Sequence, residues 1–167
     1  SFGEGNYDGL PKVQLTADEG FIVMVPTGPG GYSIIKTNSQ GIQEWSQNFE
    51  GEGFDIQTCT DGGYALLTHQ SPTGEDGKYL IKTNSLGEVE WSQNFENYVG
   101  WYVIPQLNTT NDEGYFITGA LEDSENCYND YDGMEMSVIK TDSTGWGEWA
   151  QYYGCGYIND AKQTSDG

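Results

Sequence analysis

Residues 81–95 read Ile-Lys-Thr-Asn-Ser-Leu-Gly-Glu-Val-Glu-Trp-Ser-Gln-Asn-Phe, and residues 35–49 repeat this phrase with 12 of 15 positions identical. A third copy at 139–151 keeps Ile-Lys-Thr, the glycine and Glu-Trp-x-Gln. The tryptophans of the three copies are 46 and 58 residues apart, at Trp45, Trp91 and Trp149. A period of about 45 residues, with several strands in each unit, is typical of propeller blades. The chain is therefore an internal repeat.

A second marker keeps step with the first. Asp-x-Gly triplets stand at 18–20, 61–63 and 112–114, and Asp166-Gly167 begins another. In the middle unit, turn-forming residues separate four β-prone runs, at 54–60, 64–69, 78–83 and 88–95. Four short strands joined by tight turns predict one antiparallel four-stranded unit.

The rest of the pattern is also that of an all-β chain. No stretch holds the i, i+3, i+4, i+7 apolar spacing of a helix for long. The longest apolar run, Phe21 to Val25, is stopped by Pro26, so it is far shorter than the roughly 20 residues of a membrane span. We expect no membrane-spanning segment.

These observations predict a β-propeller of four-stranded antiparallel blades, with blades at about 1–47, 48–93 and 94–151 and the start of another at 152–167. Propellers close with roughly four to eight blades, so we expect an incomplete ring. Residues 1–14 are expected to form a first strand and residues 161–165 to begin the equivalent strand of a fourth blade. Further blades of the same protein, or another chain, would complete the ring.

The charge of the chain bears on its partners. The formal net charge is −20, from 26 acidic residues against six lysines and no arginine. Such a surface repels phosphate backbones, so the chain is not expected to bind nucleic acid. The single histidine, His69, cannot form a His-rich zinc or catalytic site alone. Lysines recur at one position of the third strand and are interpreted as scaffold: Lys36, Lys82 and Lys140.

The phrase Asp-Gly-Gly-Tyr followed by Ile-Lys-Thr-Asn-Ser-x-Gly-x-x-x-Trp resembles a family of secreted propeller-like repeat proteins of unknown function. The resemblance covers essentially the whole chain. It implies a secreted β-propeller, and it carries no catalytic residue that could be transferred to this sequence.

The turn before each tryptophan is distantly similar to the Asp-box of sialidases and to the tryptophan-docking motif of quinoprotein propellers. Gly41 and Gly87 stand four residues before the tryptophan rather than three, and Ser39 and Ser85 replace the Asp-box aspartate. In both families the motif braces neighbouring blades. The resemblance therefore implies structural, buried tryptophans at Trp45, Trp91 and Trp149. Sialidases also use an arginine triad, and this chain has no arginine.

Propeller topology separates short turns at one end of the blades from longer, variable loops at the other, and variable loops commonly carry function. Aromatic residues fall on or beside the long-loop end, where they could stack on sugars or anchor a protein. The predicted binding surface consists of Tyr98, Trp101, Tyr102, Tyr128, Tyr131, Tyr153 and Tyr157. The alternative is that these side chains only cover the blade tops.

The segment 122–133 is an acidic insertion that accounts for the longer second spacing. Its carboxylates make Asp123, Asp130 and Asp132 candidate Ca²⁺ ligands, because Ca²⁺ binds several oxygens. The segment lacks the first ligand of an EF-hand pattern and its final glutamate, so a solvated acidic loop is the alternative. No other cofactor is expected.

The three cysteines give one predicted bridge. Cys127 lies in the insertion and Cys155 in the link that leaves the same blade, and the topology brings both to the long-loop end. A Cys127–Cys155 disulfide would anchor the insertion and favour an oxidising compartment; the alternative is two unrelated thiols. Cys59 is expected to be a buried free thiol.

Together these patterns favour a non-enzymatic, extracellular or cell-surface propeller that serves in binding, adhesion or a structural assembly, with a protein or glycan partner. One alternative is part of a propeller enzyme that acts on glycans or uses a quinone cofactor, with catalytic residues outside this segment. A second alternative is an intracellular scaffold.

Overall fold

The computed structural model describes residues 11–28, 30–95, 105–121, 127, 134–156, 158 and 161–164. Over these residues all regular elements are strands, twelve in number, arranged in three four-stranded antiparallel sheets. No helix within the described ranges is long and apolar enough to cross a membrane. The all-β prediction is therefore confirmed at the level of antiparallel four-stranded sheets.

Each sheet is a meander in which consecutive strands pair. The first sheet contains β1 (Lys12–Leu15), β2 (Phe21–Gly28), β3 (Gly31–Thr37) and β4 (Gln43–Glu50). The second contains β5 (Glu52–Thr58), β6 (Tyr64–His69), β7 (Lys78–Thr83) and β8 (Val89–Asn94). The third contains β9 (Gln106–Thr109), β10 (Tyr115–Leu121), β11 (Glu135–Thr141) and β12 (Gly147–Cys155).

The chain forms two compact units. Residues 1–94 include the first and second sheets, and residues 95–167 include the third.

In the first unit, the core joins the two sheets. Strand residues alternate between faces, so one face of the first sheet carries Ile22, Met24, Tyr32 and Ile34, all at most 2% exposed. These side chains belong to one apolar cluster with second-sheet residues, namely Ile56, Tyr64, Leu66, Tyr79 and Ile81. Removal of this apolar surface from water is the main stabilising contribution in the unit.

The same irregularity recurs between the third and fourth strand of every sheet. Lys36 pairs with Trp45 while Thr37 pairs with Gln43, which leaves Glu44 as an extra residue on β4. The second and third sheets repeat this pattern, with Glu90 and Glu148 as the extra residues. A bulge of this kind redirects a side chain that would otherwise follow the strict alternation.

One strand prediction needs correction, and another is tested only in part. The first strand was expected over 1–14: the structure has β1 at Lys12–Leu15, and residues 1–10 lie outside the described part. Residues 161–164 were expected to be a strand, and they are not. They are instead held beside β9 by side chains: Asn108 Nδ2 donates to the Ala161 carbonyl at 2.9 Å, and the Asn111 N–H donates to Gln163 Oε1 at 2.8 Å.

Candidate functional site

The most distinctive polar feature of the first sheet is a buried lysine. Lys36 is 5% exposed. Its Nζ donates to Asp18 Oδ2 at 2.7 Å, to Glu44 Oε2 at 2.8 Å and to the Thr37 carbonyl at 2.9 Å. An ammonium group has three N–H donors, so every donor of Lys36 is used.

The other two sheets repeat this arrangement, and we call the three sites the lysine clusters. Lys82 donates to Asp61 at 2.7 Å, to Glu90 at 2.9 Å and to the Thr83 carbonyl at 2.9 Å. In the third sheet the corresponding distances from Lys140 are 2.8 Å to Asp112, 3.0 Å to Glu148 and 2.6 Å to the Thr141 carbonyl. The recurring Asp-x-Gly, Lys and Glu-Trp positions therefore have one shared structural role.

The glycine of each Asp-x-Gly triplet is required by close packing. A Cβ on Gly63 would overlap the Thr83 carbonyl oxygen and come within 2.6 Å of Lys82 Nζ. The Gly63 N–H also donates to Asp61 Oδ1 at 2.9 Å, which orients the carboxylate toward the lysine. The middle residue differs in kind: it has positive φ, and Glu occupies it in two copies, at Glu19 and Glu113.

The electrostatics of the clusters do not favour these lysines as nucleophiles. Desolvation lowers the pKa of Lys82, but its hydrogen bonds with Asp61 and Glu90 outweigh that effect and raise the pKa above its ordinary value. The hydrogen bond from Lys36 is the largest cause that holds the pKa of Asp18 well below its usual range. A nucleophilic lysine needs a lowered pKa and an available lone pair. The lysines of the clusters are charged, use all three of their N–H donors and serve to hold the sheets together.

The short turns that follow β3, β7 and β11 are also satisfied internally. Asn84 Oδ1 accepts hydrogen bonds from the backbone of Leu86 at 2.9 Å and Glu88 at 3.0 Å. Asn38 and Asp142 cap their own turns in the same way. At this end of the sheets, the recurring Asn and Asp side chains therefore form hydrogen bonds with the backbone of their own turns.

The repeated tryptophans are less buried than the motif implies. Trp45 is half-buried and packs on Tyr64 of the second sheet, with ring centroids 5.8 Å apart. Trp91 is also half-buried, whereas Trp149 is 43% exposed and meets Phe116 edge-on at 6.2 Å. Each tryptophan lies on the fourth, outer strand of its sheet, so neighbouring residues cover only part of its ring. The expectation of burial is therefore wrong for Trp149.

The long-loop end is tied together by backbone bonds and one disulfide. The Gly51 N–H donates to the Gly30 carbonyl at 2.8 Å, which joins the β4–β5 link to the β2–β3 loop. In the second unit Cys127 and Cys155 are bonded, with Cα atoms 5.4 Å apart, as predicted. Cys59 carries a thiol that is half-buried rather than buried, because it lies in the turn just after β5.

Most of the predicted binding and metal residues lie outside the described part of the chain: Tyr98, Trp101, Tyr102, Tyr128, Tyr131, Tyr157, Asp123, Asp130 and Asp132. Tyr153 is described; it lies on β12 and is 59% exposed. Its neighbour Tyr152 is 43% exposed and was not predicted. The described residues contain no group of three His, Cys, Asp or Glu side chains that could hold a metal.

A cleft of about 340 Å³ lies in the first unit between the outer strand of one sheet and the second sheet. Its lining mixes amides, carboxylates and one phenyl ring: Gln47, Asn48, Phe49, Glu50, Pro72, Gly87, Glu88 and Val89. Sequence reasoning missed this cleft because it joins residues about 40 positions apart in different sheets, and no local pattern marks it.

Comparison with known proteins gives no family. No protein-family model matches the chain, and no curated protein matches it. Among solved structures, the chain is similar to a protein of unknown function from Bacteroides caccae, with 14% identity and a TM-score of 0.36. The similarity covers 85% of this chain and 66% of the other, so the chain spans less than two thirds of that protein. A likeness at this TM-score carries no weight for fold or function.

Proposed function

We propose that this chain is a non-enzymatic β-propeller module of the extracellular space or cell surface, and that it binds a neutral glycan at its long-loop end. The observation that carries the proposal is a difference between the two ends of the sheets in how their polar residues are used. Recurring polar residues are used by the lysine clusters and the short turns. Among the described residues, two exposed tyrosines, Tyr152 and Tyr153, lie on β12 toward the opposite end.

The propeller assignment rests on the repeat. Three sheets share the same meander, the same bulge and the same lysine cluster. In the first unit the tryptophan of one sheet packs on the next sheet, at Trp45 and Tyr64. Sequential four-stranded antiparallel sheets that pack on one another are typical of a propeller.

The extracellular assignment rests on the Cys127–Cys155 disulfide. Structural disulfides persist in oxidising compartments and are rare in the cytosol. The bridge also joins Cys127 of the insertion to Cys155 at the end of β12, close in sequence to Tyr152 and Tyr153.

The ligand class follows from charge and surface chemistry. A net charge of −20 disfavours anionic partners. Tyr152 and Tyr153 offer exposed rings on β12, and tyrosine combines an apolar face with a polar tip. A neutral glycan can stack on such rings and form hydrogen bonds with nearby carboxylates and amides.

The test is binding of the purified chain to an array of neutral glycans. Tyr153→Ala is expected to weaken the strongest signal about tenfold, as for loss of one aromatic contact. Trp146→Ala is the matched control, because Trp146 is 68% exposed and lies at the short-turn end of the same strand. If Tyr153→Ala retains binding and Trp146→Ala loses it, the ligand binds at the short-turn end, and the proposed long-loop site is wrong. Conversion of a glycan to smaller products would support the enzyme alternative instead.

A further inference from the structure

One interface inside the first unit shows how a sheet of this repeat receives the tryptophan of another. Trp45 packs on the Tyr64 ring, and a Cβ on Gly87 would lie 2.8 Å from the Trp45 ring, so the indole sits directly over this glycine. Gln47 Nε2 also donates to the Leu86 carbonyl at 3.3 Å. The second sheet thus offers an aromatic ring, a glycine and a carbonyl to the strand that carries the tryptophan.

The first sheet offers the same features without the tryptophan. Phe21 has the position of Tyr64, since each follows an Asp-x-Gly triplet and begins the second strand. Gly41 has the position of Gly87, with φ of 75° against 76°. A Cβ on Gly41 would meet nothing within 4 Å, so the space that Trp45 fills over Gly87 is open over Gly41.

The apolar residues around this opening are exposed. The strand registers place Val13, Leu15, Phe21 and Val23 on one face of the first sheet, which we call the receiving face. Val13 is 60%, Leu15 65% and Phe21 37% exposed. The corresponding face of the second sheet is buried, for example Ile56 and Leu66 at 0%. The receiving face is therefore built as an interior surface.

The third sheet offers the complementary part. Trp149 has the position of Trp45, because each pairs with the cluster lysine of its sheet, and Gln151 has the position of Gln47. Trp149 is 43% exposed, and the ring of Phe116 lies beside it. We call Phe116, Trp149 and Gln151 the tryptophan face.

We propose that the tryptophan face of one copy of this chain binds the receiving face of a second copy. Trp149 would pack on Phe21 and over Gly41, and the Gln151 amide would donate to the Gln40 carbonyl, as Gln47 does to Leu86. A second copy is the occupant because this chain carries both complementary surfaces. The two surfaces differ, so the contact is head-to-tail rather than two-fold symmetric. The net charge of −20 opposes association, so added salt strengthens it.

The test is sedimentation equilibrium of the 167-residue chain at about 0.15 M salt, where the Debye length is about 8 Å. The wild type is expected to associate with rising concentration. Phe21→Glu and Trp149→Glu are each expected to weaken association by about thirtyfold or more, as for loss of an aromatic hot spot. Trp146→Glu is the control: it adds the same charge at an exposed tryptophan outside both faces, and it is expected to leave association unchanged.

A mixing experiment distinguishes this contact from other modes of association. Phe21→Glu retains a tryptophan face and Trp149→Glu retains a receiving face, so an equimolar mixture is expected to form heterodimers and nothing larger. A mixture that stays monomeric, association that persists in both variants, or a monomeric wild type would each overturn the proposal. Val13→Glu, at a more exposed position of the receiving face, replaces Phe21→Glu if circular dichroism shows that the latter is unfolded.

Discussion

At the scale of the residue, the molecule is organised around a lysine whose three hydrogens each have a defined acceptor. Lys82 lies between Asp61, Glu90 and the Thr83 carbonyl, and the carboxylates remain about half exposed. Water still solvates the anions, so the cluster avoids the full desolvation cost of a buried ion pair. The Lys82 ammonium in turn neutralises one carboxylate and holds the Asp-x-Gly turn between β5 and β6 against strands β7 and β8.

The two glycines of the second-sheet triplet should differ sharply in their tolerance to substitution. Gly63→Ala is expected to reduce the free energy of unfolding by about 3 kcal/mol, because the new Cβ overlaps the Thr83 carbonyl and crowds Lys82. Gly62→Glu is expected to cost only about 1 to 2 kcal/mol, the ordinary cost of a left-handed residue, since Glu adopts positive φ at the same position in the first and third copies. Urea unfolding of both variants measures the difference. Equal losses would show that the close approach of a Cβ on Gly63 to the Thr83 carbonyl and Lys82 is not what requires glycine at this position.

At the scale of the element, the local pattern locates strands well and their partners poorly. The strands over 64–69 and 78–83 have the predicted bounds, because β-branched and aromatic runs end at Gly, Ser and Asn turns. β5 begins earlier than predicted, at Glu52, because its polar first residues continue the ladder with β6. Residues 161–164 stand where the repeat predicts a first strand. They instead contact β9 through the Asn108 side chain and the turn after β9 through the Gln163 side chain.

The lysine clusters show why the site was only half predictable. The recurrence of Asp, Lys and Glu marks these residues as scaffold, but the contact itself depends on the bulge opposite Lys82, which re-aims Glu90. A bulge has no reliable local signal in this sequence. The cleft beside Phe49 depends in the same way on which strands meet, and periodicity along the chain carries no such information.

The disulfide should stabilise the second unit because it restricts the unfolded chain between Cys127 and Cys155. The Cys127–Cys155 bridge joins residues 28 apart, and removal by Cys127→Ser with Cys155→Ser is expected to cost roughly 3 kcal/mol. A reducing agent should reproduce that loss in the wild type and have no effect on the double variant. Cys59→Ser is the control, and its response to the reducing agent should match that of the wild type. If wild type and double variant unfold at the same urea concentration, the bridge does not constrain the fold.

At the scale of the whole molecule, charge acts in two opposite ways. The net charge of −20 produces general repulsion in the folded state, which acid relieves as carboxylates are protonated. The lysine clusters act in the other direction, because each depends on ionised carboxylates next to an ionised lysine. A single pH profile of stability therefore mixes both effects, and a variant that removes one cluster is needed to separate them.

Lys82→Met should isolate the contribution of one cluster. Desolvation alone would raise the pKa of Asp61, but the hydrogen bond from Lys82 reverses this, and the folded-state pKa lies below the ordinary 3.8. A carboxyl group with a depressed folded-state pKa contributes stability above its unfolded pKa and loses it as pH falls through the folded value. Lys82 has a raised pKa, so its contribution is present below the ordinary 10.5 and is lost as pH rises through the higher folded value.

The difference in unfolding free energy between wild type and Lys82→Met should therefore be constant from about pH 5 to pH 9. It should be about 2 kcal/mol, because the lysine is buried but its carboxylate partners are about half exposed. It should shrink below about pH 4 and again above about pH 10.5. Urea unfolding across this range measures it, with Lys162→Met as the control because Lys162 is exposed. A difference that is as large at pH 2.5 as at pH 7 would mean that the buried methylene chain of Lys82, and not its charge, holds the turn to the sheet.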